Sequence, residues 1–413
     1  MESDAQDRTF MQRALALAGR GRGRVEPNPM VGAVLVRGGR VIGEGYHGRF
    51  GGPHGEVAAL EDARLRGDEA GGATLYCTLE PCSHHGKTPP CATAVADAGI
   101  GRAVLATLDP EWAAQAAQGE PRGVDALRRA GIRTDVGLLA DEAVVLNAAF
   151  FKRSRTGLPL VIAKWAMSAD GKIATRTGAS RWISCAESRH LVHDLRGRMD
   201  AVVVGGSTAE LDDPLLTCRE AEKLRTATRV VLCGSRAPGP ESKLVQTCGE
   251  GPVLLAHVAA CPPPGLEALA GACAPGPGCG LLPLPAAEGR AGHVCPRALL
   301  RALAGRGASN VLVEGGREAL GSFFDNGLVD RVMVFVAPIV LGGSEAVTAV
   351  GGTGAETVAR ATGFLGDVYA SRGRTAHTCV RQVGRDVLIE GWTSDPLQWS
   401  PPEPREEPEP PEC

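Results

Sequence analysis

Short apolar segments alternate with helix-length segments along most of the chain, and this alternation limits the possible folds more than any other feature. Apolar runs at 31–36, 73–79 and 103–107 are separated by segments with helical periodicity, which is the pattern of a layered α/β domain. The pair Gly38-Gly39 predicts a hairpin between the first run and Val41-Ile42. Helices are predicted at 10–20, 54–66, 91–98, 125–130 and 141–151.

The alternation starts again after a short basic stretch at 152–157, where we place a domain boundary. Strands are predicted at 160–164, 201–204, 229–232, 253–256, 311–313 and 331–336. A segment rich in Pro, Gly and Cys, 259–285, is predicted to be a surface excursion. The acidic, Pro-rich end cannot bury enough apolar area to fold. The sequence therefore predicts domains at 1–151 and 158–393, followed by a disordered tail at 394–413.

Composition argues against several classes of protein. The net charge of −3 and the 4% aromatic content give no general case for a nucleic-acid partner. The longest apolar runs have a length of about ten residues, and a membrane span needs roughly 20. The N-terminus lacks a basic and apolar signal segment, so we expect a cytoplasmic protein, and we expect it to be a homo-oligomer. Thirteen irregularly spaced cysteines then indicate free thiols or metal ligands.

The strongest chemical signal is a set of zinc-type ligands. One imidazole, His54, and two thiolates, Cys82 and Cys91, are ligands that zinc prefers, and three protein ligands leave a fourth position open, as in catalytic sites. Water at that position can ionise near neutral pH. Glu56 lies two residues after His54 at a helix start, where it can carry protons without binding the metal. The alternative is that these are ordinary core residues.

Other motifs have simpler interpretations. His84 and His85 are further candidate ligands, but the zinc site is already complete without them. Residues 43–48 match the G-x-G-x-x-G pattern of dinucleotide-binding turns, yet no helix opens at these glycines, so we interpret them as a decoy. A second metal site is an alternative for one group of cysteines, but flexible free thiols explain these residues better; the group is Cys261, Cys273, Cys279 and Cys295.

A family resemblance adds to this interpretation. The segment Glu-Pro-Cys-Ser-His-His-Gly-Lys-Thr-Pro-Pro-Cys at 80–91, together with 27–34 and 43–47, resembles the bifunctional deaminase/reductase of riboflavin biosynthesis. The resemblance implies a cytidine-deaminase-like three-layer α/β domain. It also implies zinc-dependent hydrolytic deamination of 2,5-diamino-6-(5-phosphoribosylamino)pyrimidin-4-one to 5-amino-6-(5-phosphoribosylamino)uracil. In such enzymes, the positions of Asn28, His47 and Lys87 contact the substrate.

The second half resembles the reductase part of the same family. The segments that carry the likeness are 164–174, 180–184, 211–217, 312–316, 327–330 and 337–343. They imply a dihydrofolate-reductase-like α/β domain that uses NADPH to reduce the ribosyl group to ribityl phosphate. Cofactor-binding positions would be Ala166, Trp182, Thr208, Asp212, Ser235 and the stretch that begins at Gly316. Positions for the sugar phosphate would be Ser180, Arg196, Leu216, Arg219 and Glu314, of which the two arginines suit phosphate oxygens.

Two other functions stay open at this stage. A deaminase of nucleic-acid bases would share the zinc ligands, but it would normally have a basic, aromatic-lined channel that this composition does not indicate. A non-catalytic protein with one decayed half is the second alternative. It is suggested by Glu111, which stands where the resembling family has asparagine.

Overall fold

The computed structural model describes residues 2–83, 89–111, 122–266, 269, 278–364 and 379–399. The chain divides into two compact units, which we call the first and second units. The described residues within 1–21, 28–158 and 396–413 form the first unit, and those within 22–27 and 159–395 form the second. No helix in the described residues combines the length and the apolar character that crossing a membrane requires.

The first unit is a five-stranded sheet with helices on both faces. The strand order is β2-β1-β3-β4-β5, in which β1 is antiparallel to both neighbours and β3, β4 and β5 are parallel. The strands are β1 Gly32–Arg37, β2 Arg40–Tyr46, β3 Thr74–Cys77, β4 Arg102–Leu105 and β5 Arg133–Val136. The helices are α1 Glu2–Ala18, α2 Gly55–Leu65, α3 Cys91–Asp97, α4 Gly123–Arg129, α5 Ala140–Leu146 and α6 Ala148–Thr156.

Alternate residues of the strands pack into two separate hydrophobic cores, one on each face of the sheet. On one face, residues such as Leu35, Leu75 and Leu105 pack with α2, α3 and α4. On the other face, Val34 and Val104 join the cluster that contains buried residues of α1 and α5. This two-sided burial, with a period of two along each strand, confirms the expected three-layer arrangement.

The helix predicted at 10–20 begins earlier, at Glu2, and ends at Ala18. Its early turns are polar, so periodicity alone did not include them. They are held by a distant contact: Asp7 accepts a hydrogen bond from the Tyr76 hydroxyl at 2.5 Å and pairs with the Arg102 guanidinium at 2.8 Å. The extension of α1 therefore depends on side chains from β3 and β4.

The single helix predicted at 141–151 is two helices that meet at Asn147. The Asn147 side chain bonds both backbone groups of Met30, accepting from its N–H at 2.7 Å and donating to its carbonyl at 2.9 Å. Asparagine is a weak helix former in a helix interior, which is the local signal for the break. The contact holds the loop that leads into β1.

The two glycines of β2 allow α2 to lie directly on the sheet. A Cβ atom at Gly43 would lie 2.4 Å from the Ala59 carbonyl oxygen, and one at Gly45 would lie 2.4 Å from the Ala59 backbone nitrogen. No side chain fits in that space. This explains the G-x-G pattern at 43–45 as close helix packing, in agreement with its interpretation as a decoy.

Replacing Gly45 with Ala is expected to displace α2 from the sheet, because backbone atoms at 2.4 and 2.6 Å cannot make room for a methyl group. We expect the free energy of unfolding to fall by about 1–3 kcal/mol, as overpacked interiors typically show. Thermal unfolding of the full chain measures this loss. The matched control is Gly71→Ala, since a Cβ atom at Gly71 would have no described atom within 4 Å and should be tolerated. Equal stability of the two variants would contradict the prediction.

The second unit contains a nine-stranded mixed sheet. Its strand order is β10-β9-β8-β7-β13-β6-β14-β16-β15, parallel from β10 to β14 and antiparallel at the last two pairings. The strands are β6 Leu160–Ser168, β7 Ala201–Gly205, β8 Thr228–Cys233, β9 Val253–Val258, β10 Cys279–Leu284, β13 Asn310–Val313, β14 Arg331–Ala337, β15 Cys379–Val383 and β16 Asp386–Trp392.

In the described part of the second unit, a small antiparallel hairpin and five α-helices accompany the large sheet. The hairpin pairs β11 Ala286–Ala287 with β12 Arg290–Val294. The helices are α7 Ala186–Arg196, α8 Gly206–Asp212, α9 Lys243–Gln246, α10 Pro296–Gly305 and α11 Arg317–Asp325. Because β7 and β13 are both parallel and internal, the residues that follow them meet at one edge of the sheet.

Two expectations about irregular segments are wrong in part. The segment 259–285 is not entirely a surface excursion, because β10 pairs with β9 in parallel and extends the sheet. The proposed disordered tail at 394–413 begins too early: Leu397 and Trp399 pack against the core of the first unit. Residues 400–413 lie outside the described residues. Both corrections arise from long-range packing that local composition does not report.

Candidate functional site

Three donor atoms meet at one end of the sheet in the first unit. His54 directly precedes α2, Cys82 follows β3, and Cys91 is the first residue of α3. The His54 Nδ1 atom lies 3.6 Å from the Cys82 Sγ atom and 3.3 Å from the Cys91 Sγ atom. The three atoms all lie within 4.8 Å of one another. The structure thus brings together the three residues that the sequence singled out as ligands.

The donor set fits zinc. A tetrahedral ion with bonds of about 2.0–2.1 Å to nitrogen and about 2.3 Å to sulfur places those two atoms roughly 3.6 Å apart. The observed separations of 3.3 and 3.6 Å are close to that value. Among the described residues, no other group of three or more His, Cys, Asp or Glu donors converges in this way. The candidates His84, His85, Lys87 and Cys273 lie outside the described residues.

The Cys82 sulfur is the centre of a hydrogen-bond network. It lies near the Cys91 thiol, accepts from the Cys91 backbone N–H at 3.3 Å, and contacts His54. The side-chain contact with Cys91 is the largest influence, and together with His54 it lowers the pKa of the Cys82 thiol to about 4. The hydrogen bond with Cys82 in turn raises the pKa of His54. The pocket is therefore suited to an anionic sulfur ligand at neutral pH.

Glu56 lies in the first turn of α2 and is buried, with 2% of its surface exposed. Its Oε2 atom has no hydrogen-bond partner among the residues that the structure describes. Burial raises the pKa of Glu56 to about 7. A carboxyl group with that pKa can both accept and release a proton near neutrality, which is what a general acid–base residue needs.

His47 is buried beside the donor atoms. Its ring lies edge-on to the His54 ring, with 5.1 Å between centroids, and its Nδ1 atom lies 2.9 Å from the Pro53 carbonyl oxygen. Burial lowers the pKa of His47, which favours the neutral ring. A neutral ring that donates from Nδ1 presents Nε2 as an acceptor, and Nε2 has no partner within the described part of the chain.

Asn28 lies half-buried in the loop before β1. That loop is the one held by Asn147 through Met30. Sequence reasoning did not assign Asn147 a role, although the weak helix propensity of asparagine inside 141–151 was a usable signal. Glu111 is exposed and accepts a hydrogen bond from the Ser154 hydroxyl at 3.0 Å.

Glu80 was also missed, although it directly precedes Pro81-Cys82. Its carboxylate is buried and accepts hydrogen bonds at 3.0 Å from three groups, the Asp109 N–H, the Val124 N–H and the Arg122 guanidinium. Buried charges are stable only when they are paired in this way. Glu80 thereby ties the segment before Cys82 to the loop after β4 and to the start of α4. Nothing in the local sequence distinguishes it from an exposed acid.

A cavity of about 1120 Å³ lies at the carboxyl ends of the parallel strands in the second unit. All eleven positions that the resemblance assigned to the reductase lie in its wall. They are Ala166, Ser180, Trp182, Arg196, Thr208, Asp212, Leu216, Arg219, Ser235, Glu314 and Gly316. The cavity is large enough for part of a dinucleotide together with a sugar phosphate, because pockets for drug-sized ligands have volumes of roughly 300–1,000 Å³.

Glycine is required where β13 leads into α11. Gly315 and Gly316 have φ values of 120° and 74°, which residues with a side chain rarely adopt. A Cβ atom at Gly316 would also lie 2.8 Å from the Thr208 hydroxyl oxygen. The bare backbone therefore forms part of the cavity wall and lets a ligand approach α11 closely, as expected for a phosphate-bearing cofactor.

Glu314 is the anionic centre of the cavity wall. It forms a two-point contact with the Arg196 guanidinium, and its Oε2 atom lies 3.7 Å from the Lys164 ammonium. Burial alone would raise the pKa of Glu314, but the charges of Arg196 and Lys164 lower it below its ordinary value. One carboxylate thus faces two cations, which leaves positive charge available to an anionic ligand.

Two further contacts connect residues of the cavity wall. The Ser180 hydroxyl donates to the Asp212 carboxylate at 3.1 Å, which joins a position expected for the sugar phosphate to one expected for the cofactor. The Arg219 guanidinium lies 3.2 Å from the Thr217 hydroxyl, and the Arg219 backbone N–H lies 3.3 Å from Nδ1 of His193. His193 was not identified from the sequence.

Comparison with known proteins identifies both halves. Residues 4–107 match the family model described as the cytidine and deoxycytidylate deaminase zinc-binding region, and residues 159–368 match the RibD C-terminal domain. The chain is 39% identical to the riboflavin biosynthesis protein RibD of Aquifex aeolicus over 81% of its length and 88% of the relative. It is 38% identical to the protein of that name from Escherichia coli, over 82% of this chain and 89% of the relative.

Solved structures give the same result. One is a diaminohydroxyphosphoribosylaminopyrimidine deaminase/5-amino-6-(5-phosphoribosylamino)uracil reductase from Thermotoga maritima, with a TM-score of 0.77 and 33% identity. Another is RibD of Acinetobacter baumannii, with a TM-score of 0.74 and 31% identity. Each comparison covers 94% of this chain and 99% of the other. The expected fold class, with a deaminase-type domain followed by a reductase-type domain, is confirmed.

Proposed function

The chain belongs to the RibD family, the bifunctional deaminase/reductases of riboflavin biosynthesis, and we propose the substrates and residue roles of its two reactions. The first reaction is hydrolytic deamination of 2,5-diamino-6-(5-phosphoribosylamino)pyrimidin-4-one. The second is reduction of the resulting 5-amino-6-(5-phosphoribosylamino)uracil to its ribityl phosphate. Zinc and NADPH are the cofactors of the two domains.

The observation that supports the first reaction most strongly is the convergence of one imidazole and two thiols beside a buried carboxyl group. His54, Cys82 and Cys91 would hold the zinc ion through Nδ1 and two sulfur atoms. Zinc, when bound, supplies the Lewis acidity that makes water nucleophilic near neutral pH. We assign to Glu56, which is buried and has a raised pKa, the transfer of a proton from the water to the departing amine.

Substrate binding in the first unit is proposed for Asn28, His47 and Lys87. The Nε2 atom of the neutral His47 ring, which has no hydrogen-bond partner among the described residues, can accept a hydrogen bond from the substrate. Asn28 can donate and accept through its amide, and Asn147 holds the loop that carries it. Lys87 stays a prediction from the resemblance because it lies outside the described residues.

The second reaction is proposed for the large cavity of the second unit. NADPH, when bound, supplies the hydride for the ribosyl carbon, so the protein has chiefly to bind and orient. We assign the cofactor to the wall that contains Ser235 and Gly316, and the sugar phosphate to the wall that contains Arg196 and Arg219. The excess of cations around Glu314 supports an anionic ligand at that wall.

The proposed function is tested by incubating the full chain with the diaminopyrimidinone phosphate, with and without NADPH. Mass spectrometry of the products should show replacement of an amino group by oxygen without NADPH, and addition of two hydrogens only when NADPH is also present. No change in the substrate mass would contradict the first assignment. The chain is further proposed to act in the cytoplasm as a homo-oligomer, and analytical ultracentrifugation tests the oligomeric state.

Replacing Glu314 with Gln is expected to destabilise the second unit. The substitution keeps the shape but removes the charge that Arg196 and Lys164 face in a buried site. Breaking a buried ion pair from one side typically costs about 3–5 kcal/mol, and the amide retains some hydrogen bonding, so we expect a loss near the lower value. Calorimetric unfolding of the full chain measures the effect.

The matched control removes a carboxylate from an exposed ion pair. Glu356 lies 3.1 Å from Arg360, and both side chains are largely exposed. Glu356→Gln should therefore leave the unfolding temperature nearly unchanged, because solvent screens such pairs. If the two variants unfold at the same temperature, the proposed importance of the Glu314 charge is wrong.

A further inference from the structure

The large cavity is bordered by a second group of basic side chains, beside the positions expected for the cofactor. Arg236, His293 and Arg317 lie in its wall. Arg290 contacts two wall residues, with its Nη2 atom 3.3 Å from Nε2 of His293 and 2.8 Å from a Glu318 carboxylate oxygen. We call these four residues the hairpin cation group, since Arg290 and His293 belong to the hairpin formed by β11 and β12.

The hairpin cation group lies beside the positions proposed for the cofactor. A Cβ atom at Gly234 would lie 3.2 Å from the Gly292 carbonyl oxygen, so the backbone next to Ser235 nearly touches the hairpin. Arg236 follows Ser235, and Arg317 follows Gly316. Three separate segments therefore bring cationic side chains to the same end of the cavity.

The cations of this group outnumber the carboxylates that they contact. Arg236 pairs with Glu210 at 2.6 Å. Arg290 and Arg317 share the single carboxylate of Glu318, at 2.8 and 3.4 Å. Three guanidinium groups thus face two carboxylates, and His293 adds an imidazole to the cluster. This surplus, with several N–H donors that Glu318 and Glu210 cannot all accept, suits a phosphate monoester.

The hairpin cation group is distinct from the cations proposed for the sugar phosphate. Arg196 ends α7 and is engaged by Glu314, while Arg219 lies in the loop after α8 near Thr217. Within the described ranges, no hydrogen bond or ion pair joins either of these arginines to the hairpin cation group. The cavity thus offers two cationic sites, and two phosphate monoesters could supply the ligands: one on the cofactor and one on the substrate.

Building on the proposed reductase function, we propose that the hairpin cation group binds the phosphate on the adenosine ribose of the cofactor. This group would then determine the preference for NADPH over NADH. Arg290 and Arg317 would each donate N–H hydrogen bonds to the phosphate oxygens in place of some that they now direct to the shared Glu318 carboxylate. Because the charge lies on the hairpin and on the first turn of α11, the preference does not need a dinucleotide-binding glycine motif.

Calorimetric titration of the full chain tests the proposal without turnover. The probes are 2′,5′-ADP, 5′-ADP and ribose 5-phosphate. The unsubstituted chain should bind 2′,5′-ADP at least about tenfold more tightly than 5′-ADP, in line with a charge-assisted hydrogen bond. Arg290→Ala should weaken 2′,5′-ADP by about tenfold and leave 5′-ADP and ribose 5-phosphate within about twofold.

Two further variants make the result specific. Arg317→Met removes the other guanidinium from outside the hairpin and should have the same selective effect, which guards against a loss caused by hairpin unfolding. Arg297→Ala removes an exposed arginine of α10 that does not line the cavity, and it should bind all probes as the unsubstituted chain does.

The possible failures separate the inference from the proposed function. The proposal is wrong if the unsubstituted chain binds 2′,5′-ADP and 5′-ADP equally, or if Arg290→Ala weakens the binding of both to the same extent. In either case the hairpin cation group does not bind the phosphate on the adenosine ribose. If Arg290→Ala weakens only ribose 5-phosphate, the group serves the substrate instead. If the chain binds neither nucleotide, the cofactor assignment within the proposed reductase function is itself wrong.

Discussion

Replacing Glu56 with Gln is expected to abolish ammonia release from the diaminopyrimidinone phosphate while about one zinc ion per chain is retained. The amide has nearly the same size as the buried carboxyl group, so the ligands His54, Cys82 and Cys91 should keep their places. It cannot, however, shuttle a proton. Loss of a general acid–base residue typically lowers the rate by about 10²–10⁴-fold. Ammonia release and elemental zinc content are measured on the same preparation.

Glu61→Gln is the matched control, because Glu61 is an exposed acid on the same helix and pairs only with Arg64 among the contacts that the structure describes. Its deaminase rate should equal that of the unsubstituted chain. An undiminished rate in Glu56→Gln would remove the assigned proton carrier. A loss of zinc from that variant would instead mean that Glu56 supports the metal site, contrary to its proposed role.

Replacing Cys91 with Ser is expected to separate the two activities. Serine keeps a buried polar atom at the start of α3, but a hydroxyl group is a much weaker zinc ligand than a thiolate at neutral pH. Zinc content should fall from about one ion per chain to near zero, and ammonia release should disappear with it. NADPH-dependent reduction of supplied 5-amino-6-(5-phosphoribosylamino)uracil should stay within about twofold, because the second unit has its own cavity.

The comparison for this variant is Cys261→Ser, which changes an exposed cysteine outside the donor set. That protein should keep both its zinc and both rates. Full zinc occupancy in Cys91→Ser would show that Cys91 is not a ligand. Loss of the reduction of supplied intermediate, with normal folding of the second unit, would show that the two half-reactions are not independent.

The donor residues were predictable because their chemical type and their positions at element ends are visible in the chain itself. His54, Cys82 and Cys91 each lie at or near the end of a strand or the start of a helix, and the structure brings their donor atoms together. The glycines of β2 were also interpreted correctly as something other than a nucleotide motif. Their positive role, the close approach of α2, needed coordinates because it depends on the backbone of Ala59.

The features that sequence reasoning missed depend on contacts between distant residues. Glu80 is ordinary in its local sequence, and only the partners at 109, 122 and 124 make it a buried anchor. The polar start of α1 is helical because Tyr76 and Arg102 hold Asp7. The strand β10 was hidden by a composition that is typical of loops, and pairing with β9 decides its conformation.

The two hydrogen bonds between the Asn147 side chain and the Met30 backbone limit how the two activities can be separated. The amide joins a residue near the end of the 28–158 segment to the loop that precedes the first strand, across 117 positions of the chain. A fragment that stops short of Asn147 would free both backbone groups of Met30 and loosen the neighbourhood of Asn28. A cut in the chain that keeps the first unit folded, whether it arises by gene fission or by proteolysis, must therefore leave Asn147 with the amino-terminal piece.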